Sequence, residues 1–187
     1  MQMKFLRKPL SVLVIALLSS WAIAQSDAMS TMKPEAQSEA QRSFDKMKTL
    51  AGTWEGRVTA VPPQPDIDNK LVHATLRVTS MGNAIFHEMT GADRPDDPIT
   101  MIYLDNDRLL LTHYCDAGNR PRMTGAATPD GKSVEFEFLD VAGSTQYGHM
   151  HHAVFTVIDA NHHSEDWTYM APGEKPMHAH IDLTRTK

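Results

Sequence analysis

Residues 99–123 read ITMIYLDNDRLLLTHYCDAGNRPRM, and the fold is decided there. Two apolar runs, Ile99–Leu104 and Arg108–Cys115, flank Asp105-Asn106-Asp107, whose short polar side chains tolerate the left-handed backbone of a tight hairpin. A second turn, Ala117-Gly118-Asn119, sends the chain into a third run, Arg122–Thr128. The same texture extends both ways. Upstream, strands are predicted at Trp54–Val61, Leu71–Thr79 and Ala84–Thr90; downstream, at Ser133–Leu139, His149–Ile158, His163–Met170 and Met177–Thr184. Pro129-Asp130-Gly131 reads as a type I turn closing on glycine. About ten short strands joined by hairpins predict an all-β chain, either a single up-and-down antiparallel barrel or a sandwich. Closure removes the edge strands that a sandwich must protect. Apolar residues on both strand faces, as at Leu109, Leu110 and Leu111, also fit strands held between a lumen and a covering layer. The barrel is the reading preferred.

The chain begins differently. Lys4, Arg7 and Lys8 precede the apolar run Leu10–Leu18, and Ala22-Ile23-Ala24 follows as a small-x-small cleavage pattern. Residues 1–24 therefore read as a signal peptide, and the protein as periplasmic or secreted. The run is shorter than the ~20 residues that span a bilayer, so no membrane insertion is expected after cleavage. With no cysteine beside the cleavage site, a lipoprotein is not expected. Residues 25–40 are small and polar and read as a flexible leader, with the barrel domain over 41–187. A short helix is predicted at the start of that domain, because Phe44, Met47 and Leu50 recur at helical spacing. Ser43 is read as its N-cap and Gly52 as its stop.

Composition narrows the partners. The formal net charge is −5, and cleavage would remove basic residues only. A chain this acidic offers no basic patch for nucleic acid or anionic lipid. The single cysteine, Cys115, excludes an internal disulfide. Methionines such as Met81, Met89, Met101 and Met123 read as adaptable lining for a core or an apolar pocket.

Leu50-Ala51-Gly52-Thr53-Trp54-Glu55-Gly56, following a helix and opening the first strand, resembles the Gly-x-Trp start of the calycin β-barrels, lipocalins and their relatives. That resemblance implies that Trp54 closes one barrel end against an arginine near the chain's end, the place Arg185 occupies. Lipocalins proper have eight strands and a late helix. Nitrobindin-like haem proteins are more similar, with ten strands and a Gly-x-Trp-x-Gly opening matched by Gly52, Trp54 and Gly56. Their alternating glycines continue where this chain has Val58 and Ala60, a departure from the haem-binding pattern. The Thr112–Cys115, Ala117–Asn119 and Pro121–Met123 segments resemble uncharacterised bacterial lipocalin-like proteins of the DUF1579 type.

All ten histidines lie beyond residue 24. His149 and His151 share one strand face, as do His178 and His180, and His113 shares one with Cys115. Two imidazoles two apart on a strand can begin a zinc, copper or haem site if another strand closes it; the plain alternative is a solvated strand face. His162 and His163, in a turn, read as surface residues. Arg122, flanking Pro121 with Arg120, can hold a carboxylate ligand or pair with an acidic neighbour. Cys115 is a reactive thiol if an arginine lowers its pKa, and otherwise a small apolar filler. His113 and Cys115 sit roughly 6.5–7 Å apart as same-face neighbours, which argues against a cysteine–histidine nucleophile. Phosphate loops, nucleophile elbows and zinc-protease helices are absent from the sequence, so no catalytic residue is assigned.

The reading is an exported barrel that binds a small, mostly apolar molecule in its lumen without a resident cofactor. The ligand-contacting candidates are His113, Tyr114, Arg122, His149, His151, His178 and His180. One alternative is a metal or haem centre on His113, His149, His151, His178 or His180, with redox or hydrolytic chemistry. Another is a cell-envelope interaction module with a filled lumen.

Overall fold

The computed structural model describes residues 36–91 and 96–187. The expected signal peptide, 1–24, and most of the expected leader, 25–40, lie outside the described residues. Within Gln37–Lys187, one compact unit, the strand alternation closes on itself. Along β1 (Gly52–Val61) Trp54, Val58 and Ala60 are buried while Glu55, Arg57 and Thr59 are exposed. The same inside–outside rhythm continues through β2 (Leu71–Thr79), β3 (Ala84–Gly91), β4 (Ile99–Asp105) and β5 (Arg108–Tyr114). It is completed by β6 (Arg120–Ala127), β7 (Ser133–Ala142), β8 (His149–Val157), β9 (His162–Ala171) and β10 (Lys175–Arg185). Each strand pairs antiparallel with its sequence neighbours, and β1 pairs with β10 from Trp54–Arg185 to Val61–His178. The result is a closed ten-strand barrel, as the turn spacing predicts, and every predicted strand is present. Asn106 adopts φ 55° in the β4–β5 hairpin, the left-handed backbone expected there.

The helix α1 (Glu39–Lys48) corrects the expected cap. Ser38, not Ser43, is the N-cap, its Oγ accepting from the Gln41 amide at 3.2 Å. Ser38-x-x-Gln41 is the capping-box spacing, which starts the helix a turn before its apolar face becomes visible. Ser43 instead lies inside the helix, buried and without a hydrogen-bond partner for its hydroxyl among the described residues. Thr49 is the C-cap, so Gly52 opens β1 rather than stopping the helix.

Phe44, Met47 and Leu50 are buried in the barrel core with Trp54, Leu109, Leu111, Phe136 and Phe155. They cover the end of the barrel where β1 begins and β10 ends. Trp54 donates from Nε1 to the Leu50 carbonyl at 2.9 Å, and the Arg185 guanidinium lies 3.9 Å from its ring centre. Arg185 also donates to the carbonyls of Ala51 and Ala160, both at 2.7 Å. Gly52 adopts φ 150°, and a Cβ there would stand 2.1 Å from Arg185 Nη1, so this corner needs glycine. The core fills one half of the lumen; the other half is left open.

Candidate functional site

The open half is a cavity of about 340 Å³. Its walls include Val58, Val72, Met89, Met150, Met177 and Ile181, and its mouth Gln64, Asp66, Lys70, Asp96, Cys115 and Asp116. Inward apolar positions on β1, β2, β3, β8 and β10 supply the walls. The loops joining β1 to β2, β3 to β4 and β5 to β6 supply the mouth.

Polar chemistry is concentrated where the cavity meets the packed core. Glu165, on β9, is completely buried. Its Oε2 accepts from Trp167 Nε1 at 2.9 Å. Its Oε1 lies 3.1 Å from His163 Nε2 and 3.2 Å from His87 Nε2. Burial would push this carboxyl up, but the charge of His87 beside it and the hydrogen bond from His163 outweigh it and hold it well below the usual carboxylate range. Glu165 is therefore an anion whose neighbours already satisfy it, and it fixes imidazoles from two strands.

His113, on β5, also borders the cavity and is 4 % exposed. Burial, reinforced by the charge of His87, pushes its pKa down to about 3, so it is a neutral imidazole. Its Nδ1 is 2.9 Å from Thr100 Oγ1, and its Nε2 has no hydrogen-bond partner among the described residues. Both His87 nitrogens are likewise without one, Nε2 standing at ion-pair distance from Glu165 rather than in a hydrogen bond. The two histidines gather around Trp167, with ring centres 5.9 Å (His87) and 5.5 Å (His113) from the indole. Behind this floor His163 meets Trp54 edge-on at 4.2 Å, linking it to the barrel-closing corner.

Of the seven residues expected to contact ligand, His113 and His178 border the cavity. His178 does so from the exposed rim, its Nδ1 3.0 Å from Thr168 Oγ1. His180 faces outward and bonds Asp166 through Nδ1 at 2.6 Å. On β10 the inward positions belong to Ala179, Ile181 and Leu183, which leaves His178 and His180 on the other face. His149 and His151 do not border the cavity. A bulge between Met150 and His152 breaks the alternation, and both rings pack on Phe138 at 4.7 and 4.8 Å, 3.2 Å from each other through Nε2 and Nδ1. Arg122 donates from Nε to Asp140 at 2.8 Å on the outer surface, and Tyr114 is exposed. Glu135, Glu137 and His152 bring three ligand atoms within 4.8 Å of one another, also on outward positions.

The sequence reading missed His87, His163 and Glu165, and it placed His163 on the surface. A signal was present. His163 and Glu165 share their strand face with Trp167, and His87 shares its face with Ile85 and Met89. A polar residue in register with inward apolar ones is a buried polar residue.

The barrel fold has counterparts among solved structures. Rv2717c from Mycobacterium tuberculosis superposes with a TM-score of 0.57 at 14% identity, over 78% of this chain and 98% of that one. The likeness is one of fold. A protein of unknown function of the DUF3598 family from Nostoc punctiforme gives 0.51 at 10% identity, over 75% of this chain and 49% of that one. No family model and no curated protein matches the chain.

Proposed function

We propose that this protein is an exported, calycin-type carrier that binds a small, mostly apolar molecule in its barrel lumen. The observation that carries the reading is the cavity of about 340 Å³, apolar along its walls and bordered by the buried His87 and His113, with Glu165 beside His87. Small-molecule sites share this character, with a largely apolar concavity and a few convergent polar groups that orient the occupant. The floor offers two imidazoles, each with a nitrogen lacking a hydrogen-bond partner, while the carboxylate between them and the core is satisfied. An interaction module with a filled lumen accounts less well for that space. A metal centre is also favoured less, because the one three-donor grouping among the described residues lies outside the barrel, not in the lumen.

Export rests on the sequence around Lys4, Leu10–Leu18 and Ala24. Native mass spectrometry on the protein purified from the periplasm or medium, without chelator, tests both parts. An organic adduct on a chain starting near Gln25 is expected. A metal or haem adduct would replace the carrier reading, and full-length protein retained in the cytoplasm would remove export.

A further inference from the structure

The floor also constrains the chemistry of the occupant, an inference that rests on the lumen-binding reading. We infer that the cavity takes an uncharged heteroaromatic molecule whose ring edge hydrogen-bonds His113 Nε2 and whose face lies against the Trp167 side of the lumen. Three observations converge. First, the polar end of the cavity is built from rings: Trp167 is surrounded by His87, His113 and Phe155, all within 5.9 Å between centres. Flat π-systems meet such groups in stacked or edge-on contact with a gain beyond simple burial. Second, Met89, Met150 and Met177 line the walls, and thioethers contact aromatic edges favourably while adapting to their outline.

Third, the hydrogen-bonding pattern selects against charge. Glu165 is an anion with Trp167, His163 and His87 around it, so a ligand carboxylate would bring a second negative charge to an already compensated, water-poor floor. A ligand cation would meet the imidazole of His87, held beside Glu165 at ion-pair distance. His113, kept neutral by burial, is the group suited to a neutral partner. Its Nδ1 can donate to Thr100 Oγ1, leaving Nε2 as acceptor, or accept from it, leaving Nε2–H as donor. The site can therefore meet either a ring N–H or a ring nitrogen lone pair.

The test uses four probes on the purified protein by calorimetric titration: indole, benzothiophene (the same outline without an N–H), indole-3-carboxylate and decanoate. Indole is expected to bind about tenfold more tightly than benzothiophene, the margin of roughly one hydrogen bond, and more tightly than either anion. His113→Phe should bring the indole and benzothiophene affinities to within about twofold of each other. The wild-type ranking decides the matter even where that variant does not fold. Equal binding of indole and benzothiophene overturns the ring-edge hydrogen bond to His113, tighter binding of decanoate overturns the aromatic assignment, and either leaves the lumen reading standing. Haemin binding in the lumen with a histidine-ligated absorption spectrum overturns it in favour of haem. Failure of every probe, with a bare mass in the native spectrum, overturns both readings.

Discussion

At the scale of single residues, the barrel floor ties stability to pH. His113 has a folded pKa of about 3 against about 6.5 when unfolded. Between those values the unfolded chain holds the extra proton, so stability rises with pH. The contribution of His113 is complete above about pH 6.5 and is lost progressively as pH falls toward 3. Glu165, depressed below the usual range, adds a second loss that begins as pH drops below about 4.3. Urea midpoints measured from pH 7 to 4 should fall steadily in the wild type and with a shallower slope in His113→Phe. Identical slopes would mean that His113 is not neutral in the folded protein. Glu165→Ala should cost about 3–5 kcal/mol at pH 7, because it leaves Trp167 Nε1 and His163 buried without their acceptor and His87 without its ion-pair partner. A loss below about 1 kcal/mol in urea unfolding would count against the buried network.

At the scale of elements, the helix cap and the barrel seam can each be probed by one atom. Ser38→Ala removes the group that accepts from Gln41 and should cost about 1 kcal/mol. Ser43→Ala removes a buried hydroxyl with no partner and should leave stability unchanged or raised. The reverse order in thermal melts would restore Ser43 as the cap. On β1, a Cβ at Gly56 would stand 2.2 Å from the Asp182 carbonyl of β10, against backbone that cannot rotate away. Gly56→Ala should therefore cost about 1–3 kcal/mol or more by forcing the closing strands apart. The glycine of the Gly-x-Trp-x-Gly opening thus has a packing reason here, independent of any haem.

At the scale of the whole molecule, one half of the lumen is packed solid and the other is open. The N-terminal helix face of Phe44, Met47 and Leu50 fills its half with Trp54 and Phe136, while the far half, beneath the β1–β2 and β5–β6 loops, is hollow. The hollow half can be filled without touching the floor. Ala179 borders the cavity from β10, and Ala179→Phe should eliminate any lumen adduct in native spectra while keeping the melting temperature at or above wild type. An adduct that survives this substitution binds elsewhere. Cys115 provides a second readout at the mouth. A lumen occupant should slow its alkylation in wild type, and unchanged alkylation at saturating ligand would place the occupant away from the mouth.

The sequence by itself determined the ten strands and their antiparallel hairpin order, because period-two alternation and turn chemistry act over a few residues; closure into a barrel rather than a sandwich was a preference that only the β1–β10 pairing decided. The Trp54–Arg185 juxtaposition was an expectation of the Gly-x-Trp resemblance, and the β1–β10 pairing brings the two residues together. The histidine pairs were legible as pairs but not as a site. His178 and His180 alternate with Ala179, Ile181 and Leu183, so their outward direction was available from the pattern, whereas the bulge beside His151 was not. Only the tertiary structure brought His87, His113 and Glu165 together. They come from β3, β5 and β9, separated by long stretches of chain, and their meeting depends on barrel register across strands that are not neighbours. Local patterns say which face a side chain takes; only closure says what stands opposite it.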